Sequence, residues 1–247
     1  MMQADELFDS LRGRLWQIAE AKKLLQDTVE VTGRPLTTEE AIGSPVRQDF
    51  PLVKGKEKLM QAVFRGAKGQ AFTDMPGDFQ GSLQDIITKE LSTHFDKAVF
   101  VATMNAVLAY LGQIQATVHC KDEEPEDCAC QLVGMIKEEY CSPRIALVGF
   151  QPAMLQQLAQ HFAVRVLDLD QDRIGTQQFG VMVEDGDSAM QEVLAWSELI
   201  VATGSTVANG SIVNFLEQRR PVVFFGTTVA GAAQLMGWKR FCPCASV

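Results

Sequence analysis

Glycines mixed with hydroxyl and amide side chains follow an apolar run at three places in this 247-residue sequence. The longest is Leu199-Ile-Val-Ala-Thr-Gly-Ser-Thr-Val-Ala-Asn-Gly210. The others are Gly149-Phe-Gln151 after Ile145-Ala-Leu-Val, and Gly226-Thr-Thr228 after Val222-Val-Phe-Phe. Backbone N–H groups freed at glycine turns, helped by hydroxyls, suit a carboxylate, a phosphate or an oxyanion. In an open parallel sheet such turns fall at the carboxyl ends of the strands, where ligands bind. Ser205 or Thr206 would cap a helix after Gly204, and its first N–H groups would face the anion. Gly149, Gln151, Thr203, Gly204, Ser205, Thr206, Asn209, Gly226 and Thr227 are therefore candidate ligand-binding residues. Asp168, 19 residues after Gly149, stands where dinucleotide folds hold a ribose hydroxyl, and is the candidate contact for a ribose or other polyol. The turn itself is not G-x-G-x-x-G: Gln151 and Pro152 replace the small residues that let a pyrophosphate approach, which argues against ordinary NAD binding.

Other residues offer different chemistry. His119-Cys120 and Cys128-Ala-Cys130 carry the soft donors that select late transition metals. Their spacing matches no recognised zinc pattern, and on a helix Cys128 and Cys130 point about 200° apart. His119, Cys120 and Cys128 can still converge across the acidic loop 122–127, with plain buried thiols as the simpler reading. Cys242-Pro-Cys244 is too close-set to count as a site. No G-x-S-x-G elbow is present, and His94, His119 and His161 are the only imidazoles. His161 reads as structural and His94 as a neighbour of a helix cap. Asp74 and Asp78, flanking Met75-Pro-Gly77, are the candidate general acid and base, against a plain turn role.

The elements that must position these residues fall into two textures. Residues 4–26 repeat apolar side chains at spacings of three and four, an amphipathic helix. Residues 28–51, with Gly33-Arg-Pro35 and Gly43-Ser-Pro45, suit short strands and a turn. Lys56 to Phe64 reads as a short helix, Gly81-Ser82 opens another through Leu91, and Phe95 to Leu111 is apolar on most faces and so buried. Pro125 starts a helix that stops before Ser142-Pro143. From Arg144 onward strands alternate with helices of about ten residues, the mark of right-handed βαβ units. The expected fold is α/β, with an α+β N-terminal domain over residues 1–142 and a parallel-sheet domain over 143–247.

Lys and Arg number 22 against 31 Asp and Glu, a formal net charge of −9. That balance, without a basic run, argues against a nucleic-acid groove or an anionic membrane surface as partner. No apolar run reaches the roughly 18–20 residues that span a bilayer. The start lacks the basic and apolar segments of a signal peptide, so the expected setting is the cytoplasm, with the six cysteines as thiols.

Arg144-Ile-Ala-Leu-Val-Gly-Phe-Gln-Pro-Ala-Met154, Thr203-Gly-Ser-Thr-Val-Ala-Asn-Gly210 and Phe225-Gly-Thr-Thr228 together resemble the Rossmann-like domain called "putative heavy-metal chelation". In that family an enolase-N-terminal-like domain precedes it, matched here by Ala98-Val-Phe-Val-Ala-Thr-Met-Asn-Ala106 and Thr73-Asp-Met-Pro76. The resemblance implies a Rossmann-like second domain and a cleft between the two domains holding the site. It adds Asn105, Pro152 and Gly210 to the ligand-binding candidates. It also implies a metal, yet the strand-end residues offer no thiol or imidazole, so a metal would bind elsewhere or arrive within a ligand. The leading expectation is a protein that binds a small anionic or metal-chelating metabolite in an interdomain cleft. The alternatives are an enzyme using a nucleotide-like cofactor, S-adenosylmethionine or NAD, and a thiolate metal carrier through His119, Cys120, Cys128 and Cys130. Self-association as a homo-oligomer is compatible with each.

Overall fold

The computed structural model describes residues 3–32, 43–44, 47, 49–50 and 58–246. The three- and four-residue apolar spacing near the start forms helix α1 (Ala4–Ala21), which buries Leu7, Phe8, Leu11, Leu15 and Ala19. Strand β1 (Thr28–Thr32) pairs antiparallel with β2 (Lys58–Phe64) and β4 (Phe79–Ser82). With β3 (Ala67–Thr73) beyond β2, the sheet order is β3-β2-β1-β4. The helix expected over Lys56 to Phe64 is thus a strand, its residues 56–57 lying outside the described ones. Met60, Ala62 and Phe64 alternate inward, a period of two that outweighs the helical propensity of Lys, Leu, Met and Gln. Arg65 (φ 48°) and Gly66 (φ 85°) make the two-residue turn that closes the β2–β3 hairpin. Most of the turn expected over residues 28–51 lies outside the described residues.

Ser82 caps the short helix α2 (Leu83–Thr88) by accepting from the Asp85 N–H. Helix α3 (His94–Tyr110) follows, and every residue from Ala98 to Leu108 is buried. It packs on β2 and β3 on one side and on a later helix on the other, which explains why it is apolar all round. Its start is a capping box in which Thr93 and Asp96 satisfy each other's backbone N–H. Burial pushes the Asp96 carboxyl up, but the Thr93 hydroxyl and Lys89 outweigh it and hold the carboxyl below its ordinary range. A depressed folded-state pKa stabilises fully above the unfolded value near 4 and is lost as pH falls through the folded value. Asp96→Asn is therefore expected to cost about 1–2 kcal/mol at pH 7, with wild type and variant converging as pH falls through the lowered range of the folded carboxyl in urea denaturation.

Helix α4 (Glu124–Tyr140) leads into a seven-stranded sheet of order β11-β10-β9-β5-β6-β8-β7. Its strands are β5 (Ile145–Val148), β6 (Val164–Asp168), β7 (Gln177–Gln178), β8 (Val181–Asp185), β9 (Leu199–Thr203), β10 (Val222–Phe225) and β11 (Arg240–Phe241). All neighbours are parallel except β7 and β8. From β5 the chain moves to β6 on one side, then returns to β9 on the other, so β5 borders a topological switch point. One face, with Ile145, Leu147, Val166, Val201 and Val223, packs on α4 and α5 (Pro152–His161). The other face, with Ala146, Val148, Ile200, Ala202 and Phe224, joins α1, α3 and the antiparallel sheet in one continuous core. The fold is therefore mixed α/β, with a parallel-rich sheet and a separate antiparallel one. Helix α4, N-terminal to the boundary expected at 142/143, lies on the parallel sheet. Among the described residues no helix is long and apolar enough to cross a membrane.

Candidate functional site

Sheet register sets the geometry of the site. Val148 pairs with Leu167 on one side and Ala202 on the other, and Phe225 pairs with Thr203. The next residues, Gly149, Asp168, Gly204 and Gly226, consequently lie along one edge at the carboxyl end of the sheet. Gly149 (φ 87°) leaves no room for a side chain, since a Cβ there would sit 2.5 Å from Thr203 Cγ2. A cavity of about 670 Å³ opens above this edge, a size that suits a small molecule. Phe72, Asp74 and His94 face it from the antiparallel-sheet side, and Cys120, Cys128 and Cys242 line another part of its wall.

The strand-end turns are not all free to bind an anion. The Gly149 N–H donates to Leu167 O at 2.8 Å, and the Phe150 N–H donates to Asp168 Oδ2 at 2.6 Å. Gln151 Oε1 accepts the Met154 N–H and so caps α5. The Gly149 and Phe150 donors are thus taken by the protein, and the carboxylate at this turn would repel a phosphate. Asp168 also accepts the Asp170 N–H at 2.7 Å through Oδ1. Each of its oxygens keeps a second lone pair, so a ligand hydroxyl can still reach it.

After β9 the chain makes a single helical turn, α6 (Ser205–Ala208), whose N-cap is Gly204 without a side-chain cap. The helix expected to be capped by Ser205 or Thr206 is therefore too short to carry a macrodipole. Thr206 donates to Thr203 O at 2.7 Å, whereas Ser205 Oγ and Thr203 Oγ1 share one contact of 3.1 Å at the cavity. Asn209 Oδ1 accepts from the N–H and hydroxyl of Ser211, which leaves the amide N–H donors of this cavity-lining residue for a ligand.

The cation of the site was not singled out by spacing. Arg173 lines the cavity, is 7 % exposed and stacks 4.1 Å from the Phe150 ring centroid. Its Nε donates to Asp170 Oδ2 at 3.0 Å, but its buried Nη2 has no hydrogen-bond partner among the described residues. An unsatisfied buried guanidinium nitrogen costs roughly 1–3 kcal/mol, more when charged, unless a ligand meets it. The signal present in the sequence was Asp168-Leu-Asp-Gln-Asp-Arg173, carboxylates and one arginine directly after a strand. At the opposite wall His94 Nδ1 lies 2.9 Å from Asp74 Oδ1. This pair fixes the imidazole and leaves Nε2 for proton transfer. His94, read from sequence as a cap neighbour, thus joins Asp74 at the cavity.

Gly149, Gln151, Asp168, Thr203 to Thr206, Asn209 and Gly226 all line the cavity, and Asn105, Pro152, Gly210, Thr227 and Asp78 are not among its lining residues. Asn105 is fully buried behind the wall. Its amide donates to the carbonyls of Gln70, Thr227 and Thr228 and accepts the Gly231 N–H. Its role is to hold the turn after β10 against β3. Pro152 occupies the first turn of α5, and Thr227 is fully buried. Gly210 (φ 80°) ends the turn after β9 beside Ala4 and Lys97.

His119, Cys120 and Cys128 line the cavity, but Cys130 is exposed and does not. The His119 Nδ1–H donates to Cys120 O at 2.6 Å, and burial lowers the imidazole pKa, so the ring is neutral at pH 7 with a lone pair on Nε2. Burial pushes the Cys128 thiol up to about 12 and raises Cys120 further. Among the described residues no three His, Cys, Asp or Glu side chains already stand as a metal-ligand set.

Comparison with known proteins places this geometry in context. Residues 132–237 match a family model, DUF364, described as "Putative heavy-metal chelation". A solved DUF364 protein of unknown function from Pyrococcus horikoshii superposes with a TM-score of 0.51 at 16 % identity, covering 90 % of this chain and 79 % of that one. A second, from Desulfitobacterium hafniense, also of unknown function, gives 0.49 at 12 % identity, covering 72 % of each chain. No curated protein matches. The Pyrococcus structure supports the fold alone. The resemblance read from Gly149, Thr203–Gly210 and Gly226 is thereby borne out: residues 132–237 match the DUF364 family model, whose description points to a metal and to no reaction.

Proposed function

We propose that the protein binds a small anionic, metal-chelating metabolite in the cavity at the carboxyl end of the parallel sheet. The observation that carries this reading is Arg173, a buried cation on the cavity wall with one nitrogen unpaired. Ser205 and Asn209 add neutral donors on the β9 side, and Asp168 meets a hydroxyl. A bare polyanion fits less well than a chelate. Asp74, Asp168, Asp170 and Asp187 also line the cavity, and like charges 6 Å apart in a partly dry site repel by about 3 kcal/mol. A bound metal ion would offset that repulsion. We place the cavity in a cleft between a Rossmann-like unit over residues 143–247 and the enolase-N-terminal-like unit before it, in a cytoplasmic protein.

A thermal-shift screen of organic acids and phosphorylated metabolites, each alone and with Zn(II), Ni(II) or Fe(III), tests the reading. Stabilisation follows RT ln(1 + [L]/Kd), so a true ligand raises the melting temperature with concentration. For the best compound, Arg173→Met is expected to cost about 2–4 kcal/mol of binding, roughly 30- to 1000-fold in Kd. Ser205→Ala and Asn209→Ala should each weaken it about tenfold. Wild-type affinity in Arg173→Met would overturn the proposal.

A second reading, an enzyme, is favoured by the Asp74–His94 pair alone. A dinucleotide cofactor suits it poorly, because Asp168 already occupies the turn where the pyrophosphate would sit.

A further inference from the structure

The cavity wall is not polar throughout. Phe50, Phe72, Cys128, Phe150, Met154 and Phe225 line it and belong to one apolar cluster, the one that covers the α4–α5 face of the parallel sheet. All of them except Phe72 are buried. Burial keeps the Cys128 thiol protonated, so it counts here as a small hydrophobe. His119, edge-on to Phe72 with ring centroids 5.4 Å apart, is neutral because it too is desolvated. This part of the wall therefore carries no charge at pH 7. Phe150 joins it to the charged part. Its ring lies 4.1 Å from the Arg173 guanidinium carbon, and its N–H donates to Asp168 Oδ2 at 2.6 Å. A cation, a carboxylate and an apolar wall thus meet at one residue. Among the described residues lining the cavity Arg173 is the single Arg or Lys, and Asp170 already takes its Nε. With four aspartates on the same lining, the site favours one negative charge on a ligand and opposes a second.

We propose, resting on the anion reading above, that the ligand is a 2-hydroxy monocarboxylic acid with an apolar body, an aryl or branched alkyl group. The carboxylate meets Arg173 Nη2, which is buried and without a partner among the described residues. The 2-hydroxyl donates to Asp168, and the body lies against Phe72, Phe150 and Phe225. Carboxylate and hydroxyl together remain a chelating pair, as that reading requires. Two effects select against a hydrophilic acid such as citrate. Its further carboxylates would face the aspartates, and it would leave the apolar wall in contact with polar groups. An apolar body instead gains affinity in proportion to the area it removes from water, about fourfold per buried methylene. A cavity of about 670 Å³ takes a drug-sized ligand, so head and body both have space. Phe72 is the residue that sets this selectivity most directly. It stands on β3, on the opposite side of the cavity from the strand-end turns, and is the least buried of the six.

The test is calorimetric titration of the full-length protein with lactate, 2-hydroxybutanoate, 2-hydroxy-4-methylpentanoate and phenyllactate, and separately with citrate and inorganic phosphate. Affinity is expected to climb along the hydroxy-acid series, phenyllactate binding about 30-fold or more tighter than lactate. Citrate and phosphate should both bind more weakly than phenyllactate. In Phe72→Ala the phenyllactate-to-lactate affinity ratio should fall about five- to tenfold. Equal affinity for lactate and phenyllactate, or tighter binding of citrate or phosphate, overturns the amphipathic ligand and leaves the anion reading standing. Unaltered phenyllactate affinity in Arg173→Met overturns the anion reading, and the ligand class with it. Should Phe72→Ala fail to fold, the series on wild type decides alone: a steady climb supports the assignment, and a flat series or no binding of any member overturns it.

Discussion

Asn105→Ala is expected to lower the unfolding free energy by about 4 kcal/mol, with a melting temperature about 10 °C below wild type. The amide makes four hydrogen bonds, of 3.0, 3.2, 3.1 and 2.7 Å, in a place with no solvent to replace them. Its loss strands the Gly231 N–H and takes a donor from the Gln70, Thr227 and Thr228 carbonyls, of which Thr227 keeps the Ala230 N–H; a buried unpaired group costs about 1–3 kcal/mol before relaxation. Because those carbonyls belong to the β3 strand and to the turn after β10, the same substitution should loosen the cavity wall. Urea denaturation supplies the first number. Faster amide exchange at Gly231, compared with an unaffected reporter in β2, would tie the loss to that turn. A cost below about 1 kcal/mol would show that the clamp is not made in solution.

Gly69→Ala is expected to be at least as damaging, at about 4 kcal/mol or more, or to prevent folding. A Cβ at this position would lie 2.2 Å from Ala106 N and 2.3 Å from Ala102 O, both backbone atoms of α3 that no rotamer change can move. The helix would have to lift from β3, opening a contact lined by fully buried Ala102 and Ala106. Ala98, Ala102 and Ala106 recur every four residues along α3, a low ridge that permits the close approach. Gly66→Ala, in the exposed turn next to it, meets no atom within 4 Å. Its cost should be limited to backbone strain of about 1 kcal/mol, which makes it the matched control for urea denaturation.

The parallel half of the fold was legible because β5, β9 and β10 are buried on both faces and read as unbroken apolar runs ended by glycine. The antiparallel half was harder. Lys58 to Phe64 has both strand alternation and helix-forming residues, and its true partner is decided by Arg65-Gly66, a turn signal weaker than Asn-Gly. Residues at the strand ends were located on one edge by topology alone. What their polar groups do was not legible, since the partner of each depends on distant chain. Asp168 spends one oxygen on Phe150, and Asn105 serves turns more than 100 residues away. Arg173 escaped notice because nothing local distinguishes an arginine in a loop from one whose nitrogen is buried without a partner.

The central claim is that turns from separate strands serve one ligand. Hydrogen–deuterium exchange with and without the most stabilising compound from the thermal-shift screen tests it most directly. Protection is predicted to appear together in residues 149–154, 168–174 and 203–211, and to vanish from all three in Arg173→Met. Protection confined to a single one of these turns, or located on α1 and β4 away from the sheet's carboxyl edge, would contradict the account.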